Sequence, residues 1–271
     1  MKNEQDEESF PKIIWFLWLQ GLPSAPAIVQ KCFESWVTNN KNWKIVLLDK
    51  NNIVEYISLP NAETTPQALS DIIRINLLAE HGGIWVDATC YCTTPLDNWI
   101  YDHIKAGFFA FDRPGPDRMI SSWFLAATKN AYIPQYLKNE VNAYWKHNPK
   151  LVLFEKSGWR LLKKIIPKHP EQWFNNFYKK ALKVYPYFWF HYLFGKSYFS
   201  DENFKNQWDQ VIKISADIPH RLQFEGLTSP LRLSIKKEID ECHAPVYKLI
   251  WKTEISDGSN ETILDYLLRS R

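Results

Sequence analysis

Residues 70–89 read SDIIRINLLAEHGGIWVDAT, and no other stretch constrains the fold as much. Thr65 and Pro66 supply a cap and a first residue for a helix. Along it Ala68, Ile72, Ile75 and Ala79 recur as one apolar stripe. Gly82-Gly83 stops that helix, residues 84–86 form a short buried strand, and Asp87 stands at its end. Asp71 and Arg74 are three apart, so they are neighbours on the helix surface. Taken alone, such a pair is a common and weak intrahelical ion pair. Two glycines without Cβ atoms let the helix end tightly against the strand, which brings the acid and the guanidinium towards the Asp87 carboxylate. The conjunction, rather than any single residue, marks a site.

The rest of the first half alternates strand and helix. Residues 12–19 are a continuous apolar run, too short for most helices and suited to a buried strand. Pro26 opens a helix carrying Ile28, Cys32 and Trp36 at helical spacing, residues 43–48 form a second strand, and residues 52–57 a short helix. Residues 89–93 continue the third strand after a kink, and residues 107–111 and 120–127 read as further strands. This order predicts an α/β fold, a mixed, mostly parallel sheet flanked by helices. Its ligands would bind beyond the carboxyl ends of the strands, where Asp87, Asp49 and the Gln20-Gly21 loop lie. With 271 residues the chain suits one large domain. Its parts are an α/β core over 11–130, a helical region over 131–210 and a C-terminal segment over 211–271.

The helical region, with helices expected over 131–147, 157–166 and 170–182, is basic. Lys146, Lys150, Lys156, Arg160, Lys163, Lys164 and Lys168 are followed by Lys179, Lys180 and Lys183, against Glu155 and Glu171 alone. An almost wholly aromatic run follows over 185–194. Basic helices beside exposed rings predict a surface that faces anionic headgroups. Nucleic acid is disfavoured: the net charge is only +3, and the lysines follow no nucleic-acid motif. Residues 1–10 are acidic and polar, unlike a signal peptide, and no segment has the roughly 20 apolar residues of a membrane span. Cys32, Cys90, Cys92 and Cys242 are accordingly expected as reduced cytosolic thiols. Cys90-x-Cys92 lacks the second pair a zinc site needs.

The segment 70–89, with PKIIWFLWLQG upstream, resembles the Asp-x-Asp glycosyltransferases of the sugar-binding-region type, and most of all the bacterial capsular polysaccharide synthesis glycosyltransferases. The resemblance covers roughly residues 11–130 and, more weakly, 243–252. It implies a GT-A-like fold and transfer of a hexose from a nucleotide diphosphate sugar, UDP-linked, to a glycan acceptor, with retention of configuration. The acceptor would be lipid-linked and the protein cytoplasmic, peripheral at the inner face of the membrane. By position, Asp71 and Arg74 resemble the pair that contacts the donor sugar, and Asp87 the first acid of the metal motif. Trp18 or Trp15 resembles the ring that stacks on the base, with Gln20, Gly83 and Trp85 as neighbours. The motif's second acid is replaced by Thr89, a weaker ligand for a hard cation. The implied Mn or Mg ion would then rest on Asp87 and Thr89 with help from the C-terminal segment, where His243 is a ligand candidate and Lys248 a phosphate partner. If transfer inverts instead, a base is needed, and Asp112, Asp217 or Glu225 would supply it. The broken motif also leaves a non-catalytic glycan or nucleotide binder as the alternative.

Overall fold

The first apolar run is strand β1, Ile13–Leu17, and it lies inside a five-stranded sheet. The computed structural model describes residues 10–252 and 261–270; the acidic start, residues 1–9, lies outside them. After helix α1, Ala27–Asn39, strand β2, Lys44–Leu48, pairs in parallel with one side of β1. Helix α2, Pro66–His81, then leads into β3, Gly83–Val86, parallel to β1 on its other side. Strand β4 is Cys90–Cys92. Strands β5, Phe108–Gly115, and β6, Arg118–Ala127, form a hairpin in which β6 lies antiparallel to β3. The order is β2-β1-β3-β6-β5, and only β6 runs against the others. The sheet is therefore mixed and parallel-rich, as expected, with helices against its faces.

The junction between α2 and β3 is as tight as the paired glycines suggested. Gly82 and Gly83 have φ of 69° and 87°. A Cβ on Gly83 would come within 2.6 Å of the Ile13 carbonyl oxygen, so a side chain there would cost both left-handed strain and a backbone clash. The Gly82 carbonyl accepts the indole N–H of Trp15 at 3.0 Å. Trp15 is thereby a core residue, 2% exposed and packed edge-on against Tyr56.

The stretch expected to prolong β3 leaves the sheet. Asp87-Ala88-Thr89 makes a turn, closed by Cys90 N–H donating to the Asp87 carbonyl at 2.9 Å, and β4 pairs with a strand from near the chain's end instead.

Beyond the sheet lie helix α3, Tyr132–His147, and a two-residue strand β7, Val152–Leu153, paired in parallel with β8, Val184–Tyr185. The helices expected between them over 157–166 and 170–182 do not form. Short 3₁₀ turns occupy Gly158–Leu161, Lys163–Ile165 and Pro170–Phe174, and a π-helical turn Phe177–Leu182. Gly158, Pro167 and Pro170 cut the segment into pieces too short to nucleate an α-helix, and the first two turns bury no side chain. The shorter helix expected over 52–57 is likewise a 3₁₀ turn, Ile53–Glu55.

Helices α4, Trp189–Ser200, α5, Glu202–Asp209, α6, Asp217–Glu225, and α7, Leu233–Asp240, precede strand β9, Val246–Lys248; helix α8, Ile263–Arg269, follows it. The aromatic run expected at the surface is mostly core. Trp189, Phe190, Leu193 and Phe194 are buried, and Trp189 stacks on Tyr144 at 5.8 Å. Tyr187 in the run stays exposed, and exposed apolar side chains also stand earlier, at Trp159, Leu161, Leu162 and Ile166 among the lysines. Among the described residues no helix is long and apolar enough to cross a membrane. The four cysteines are free thiols, three of them buried.

Candidate active site

Arg74 is the centre of the site and is 4% exposed. Helix α2 carries it, Thr65 capping the helix by accepting the Ala68 N–H. Its guanidinium meets Asp71 at 3.2 Å and Asp87 at 3.3 Å. It also donates to the Ser122 carbonyl on β6 at 2.6 Å and to both the carbonyl and the hydroxyl of Ser70. It sits over the indole of Trp85, 5.1 Å from the ring, and that indole donates to Asp87 at 3.0 Å. One planar cation thus ties helix, strand end and hairpin together, as its fixed fork of donors permits.

Strand β9 completes the site. Its antiparallel register on β4 sets Lys248 opposite Cys90 and places its ammonium beside Thr89. Lys248 donates to the Thr89 hydroxyl at 2.5 Å and lies 3.8 Å from the second oxygen of Asp87. Leu249 N–H fixes the strand's end by donating to the Thr89 carbonyl at 2.8 Å.

These groups floor a cleft of about 610 Å³. Trp18 and Gln20 line it from beyond β1, and Trp251 meets Trp18 edge-on at 5.9 Å. Arg118, Tyr187, Phe188, His191 and His220 line it too and were not legible in the sequence; tertiary packing alone brings them there. Arg118 covers the Phe188 ring at 4.0 Å. Burial first, then Arg118 and Arg74, push His191 down to about 3, so its ring is neutral. Among the described residues, three cleft-lining side chains carry a buried ring nitrogen with no hydrogen-bond partner: Trp18 Nε1, Trp123 Nε1 and His191 Nδ1. Buried polar groups of this kind usually find a protein or water partner.

Other candidates lie elsewhere. Trp15 and Gly83 are interior and do not line the cleft. His243 is exposed in the turn before β9, outside the cleft. Glu225 is held in ion pairs with Arg221 and Arg232, and Asp112 and Asp217 line a neighbouring cavity.

Residues 1–154 and 163–267 match the family described as capsular polysaccharide synthesis proteins. The chain belongs to this family. Among curated proteins, it is 26% identical over 152 residues to an O-glycosyltransferase of Annulohypoxylon truncatum, covering 47% of this chain and 36% of that protein. It is 31% identical over 108 residues to an uncharacterized glycosyltransferase of Acanthamoeba polyphaga mimivirus, covering 36% of this chain and 41% of the relative. The chain therefore spans about two fifths of the length of the curated relatives it matches. Among solved structures, the PaToxG glycosyltransferase aligns over 86% of this chain and 84% of its own, with 14% identity and a TM-score of 0.42.

The described side chains of this capsular polysaccharide synthesis family member fit a divalent cation poorly. One Asp87 oxygen is taken by Arg74 and Trp85, the other faces Lys248, and the Thr89 hydroxyl already accepts from Lys248. Among the described residues no three His, Cys, Asp or Glu side chains converge on a point. A hard cation prefers several free oxygens, and beside an ammonium it would meet repulsion of roughly 4 kcal/mol per unit charge at about 4 Å.

Asp71, 7% exposed, is pushed up to about 7, chiefly by burial and secondarily by Asp87, against the pull of Arg74. The Trp189 indole N–H, without a well-directed partner, lies near enough to help Arg74 slightly. Between about pH 4, where a free Asp titrates, and pH 7, the folded protein holds a proton that the unfolded chain has released. Stability from this group is therefore full below that window and falls as pH rises through it. Melting curves of wild type and Asp71→Asn across pH 4–7 should diverge in slope, wild type losing Tm relative to the variant as pH rises; parallel curves would contradict the assignment.

Proposed function

We propose that this chain is a glycosyltransferase that moves a hexosyl group from a nucleotide diphosphate sugar, UDP-linked, to a glycan hydroxyl in capsule or surface polysaccharide synthesis. The convergence of Asp71, Arg74 and Asp87 beneath a cleft with Trp18 on one side and the Lys248 ammonium on the other carries the reading. Membership of the capsular polysaccharide synthesis family and the similarity to an O-glycosyltransferase support it. In this reading the base packs on Trp18, near Gln20 and Trp251, and the diphosphate lies at Lys248. The sugar hydroxyls reach Asp71 and Arg74, which Trp85 and Asp87 hold in position.

The acceptor oxygen bonds to the anomeric carbon as the bond from that carbon to the diphosphate oxygen breaks, the electron pair staying on the diphosphate. In the retaining course the acceptor's proton passes to the departing diphosphate oxygen. That course needs no separate base, in keeping with the positions of Asp112, Asp217 and Glu225 outside the cleft. Orientation and charge stabilisation carry the catalysis. Release of nucleoside diphosphate from a panel of UDP- and GDP-sugars tests the activity. Asp87→Asn should lower it by about a hundredfold or more, with Tm within about 5 °C of wild type. Full activity in that variant, or release by no protein at all, would sink the reading, the second outcome being that of a non-catalytic binder.

The acceptor is lipid-linked, and the enzyme meets it at the inner face of the membrane. A second cavity of about 760 Å³, lined by Phe154, Arg160, Ile166, Lys168 and Trp173, joins the cleft at Tyr187 and Phe188. On its rim Leu161 is 78% exposed and Ile166 47%, among the cations that anionic headgroups attract. Flotation with phosphatidylglycerol vesicles at low salt should carry the protein up, and Leu161→Ser/Ile166→Ser should leave it at the bottom. Equal flotation of both proteins, or none of the wild type, would contradict membrane docking there.

A further inference from the structure

Where the sequence resemblance implies two acids sharing a metal ion, this fold sets one acid, one hydroxyl and one ammonium. Lys248 comes from the far end of the chain, and three observations fix it there. The β4–β9 register sets it opposite Cys90, Leu249 is tied to Thr89 through the backbone, and its ammonium bonds the Thr89 hydroxyl and the Leu249 carbonyl. Its side chain is 18% exposed and lines the cleft. Two of its three protons are engaged, both by neutral oxygens, and Asp87 at 3.8 Å is beyond hydrogen-bond reach. The ammonium thus keeps donor capacity towards the cleft while Asp87 holds its charge in place. The other oxygen of the Asp87 carboxylate is neutralised by Arg74 rather than left open as a ligand.

We propose that the diphosphate of the donor is bound and its leaving charge stabilised by the Lys248 ammonium in place of a divalent cation, so that donor binding and transfer run without metal. The proposal rests on the nucleotide-sugar reading above. Thr89 is then the acceptor that orients Lys248, which a second carboxylate would instead neutralise. As the anomeric C–O bond breaks and its electron pair settles on the diphosphate, the ammonium stands at the oxygen that gains charge. A fixed cation, 18% exposed at the floor of the cleft, serves this purpose as a metal would.

The test is titration of the whole protein with UDP and with GDP, in excess EDTA and in excess manganese, followed by tryptophan fluorescence. At least one nucleotide should bind with a Kd equal within about twofold in both conditions. Lys248→Met should weaken it about 10- to 100-fold, the loss of one charged hydrogen bond, while Lys248→Arg stays within about fivefold of wild type. Release of nucleoside diphosphate should survive EDTA. Binding that appears only with manganese would overturn this proposal and leave the nucleotide-sugar reading standing. A Lys248→Met variant that melts like wild type and binds as tightly would also overturn it. No binding of either nucleotide in either condition would remove both.

Discussion

A single buried guanidinium holds this structure to its purpose. Arg74 spans α2, the end of β3 and the β6 carbonyl of Ser122. Deprived of both carboxylates it would be a buried charge left to neutral acceptors, and stranding a buried charge in this way typically costs about 3–5 kcal/mol. The glycine junction is what allows it. Only a chain without Cβ atoms there can turn so closely, Gly83 onto Ile13 and Gly82 onto Ala127, and that turn brings a residue in the middle of the helix level with the strand's end. Asp71 bears the cost, raised to about 7 by its burial. Packing and chemistry are therefore one network: the contacts that close the core also fix the acids at the cleft's floor.

The half of the site drawn from residues 70–89 was legible because all of its determinants are local. Helical spacing joins Asp71 to Arg74, the glycine pair sets the turn, and strand termination presents Asp87. Lys248 was legible as a phosphate partner through the weaker resemblance over 243–252; that it meets Thr89 follows from a three-residue strand pairing between distant parts of the chain, which periodicity does not reveal. His243, five residues earlier, falls instead in an exposed turn where Cys242 adopts a φ of 53°. Trp15 and Trp18 sit three apart near one strand, and composition does not separate them. The structure does, because the Trp15 N–H is bound inside by Gly82 while Trp18 lies past the strand's end.

The second half of the chain was read less well, for a physical reason. Lysine and leucine suit helices by propensity, but Gly158, Pro167 and Pro170 partition 157–182 into turns. Most of the aromatic run then packs inward, as large rings do when a core can take them, while Trp159, Leu161, Leu162 and Ile166 stay exposed among the lysines. Arg118, His191 and Phe188 reach the cleft through the docking of α4 on β6, a non-local contact with no motif of its own. In the proposed reading, the donor end is built from the early α/β segment together with β9, and the acceptor end from these later turns.

The central claim is that the cleft between Trp18, Lys248 and the Asp71–Arg74–Asp87 chain holds a nucleotide sugar. A crystal structure of the protein with an intact nucleotide sugar, grown in EDTA, tests it most directly. The account predicts the base against Trp18, phosphate oxygens within hydrogen-bond distance of the Lys248 ammonium, and sugar hydroxyls on Asp71 and Arg74. A nucleotide sugar bound in another cavity, or lying in the cleft with its phosphates turned away from Lys248, would contradict it.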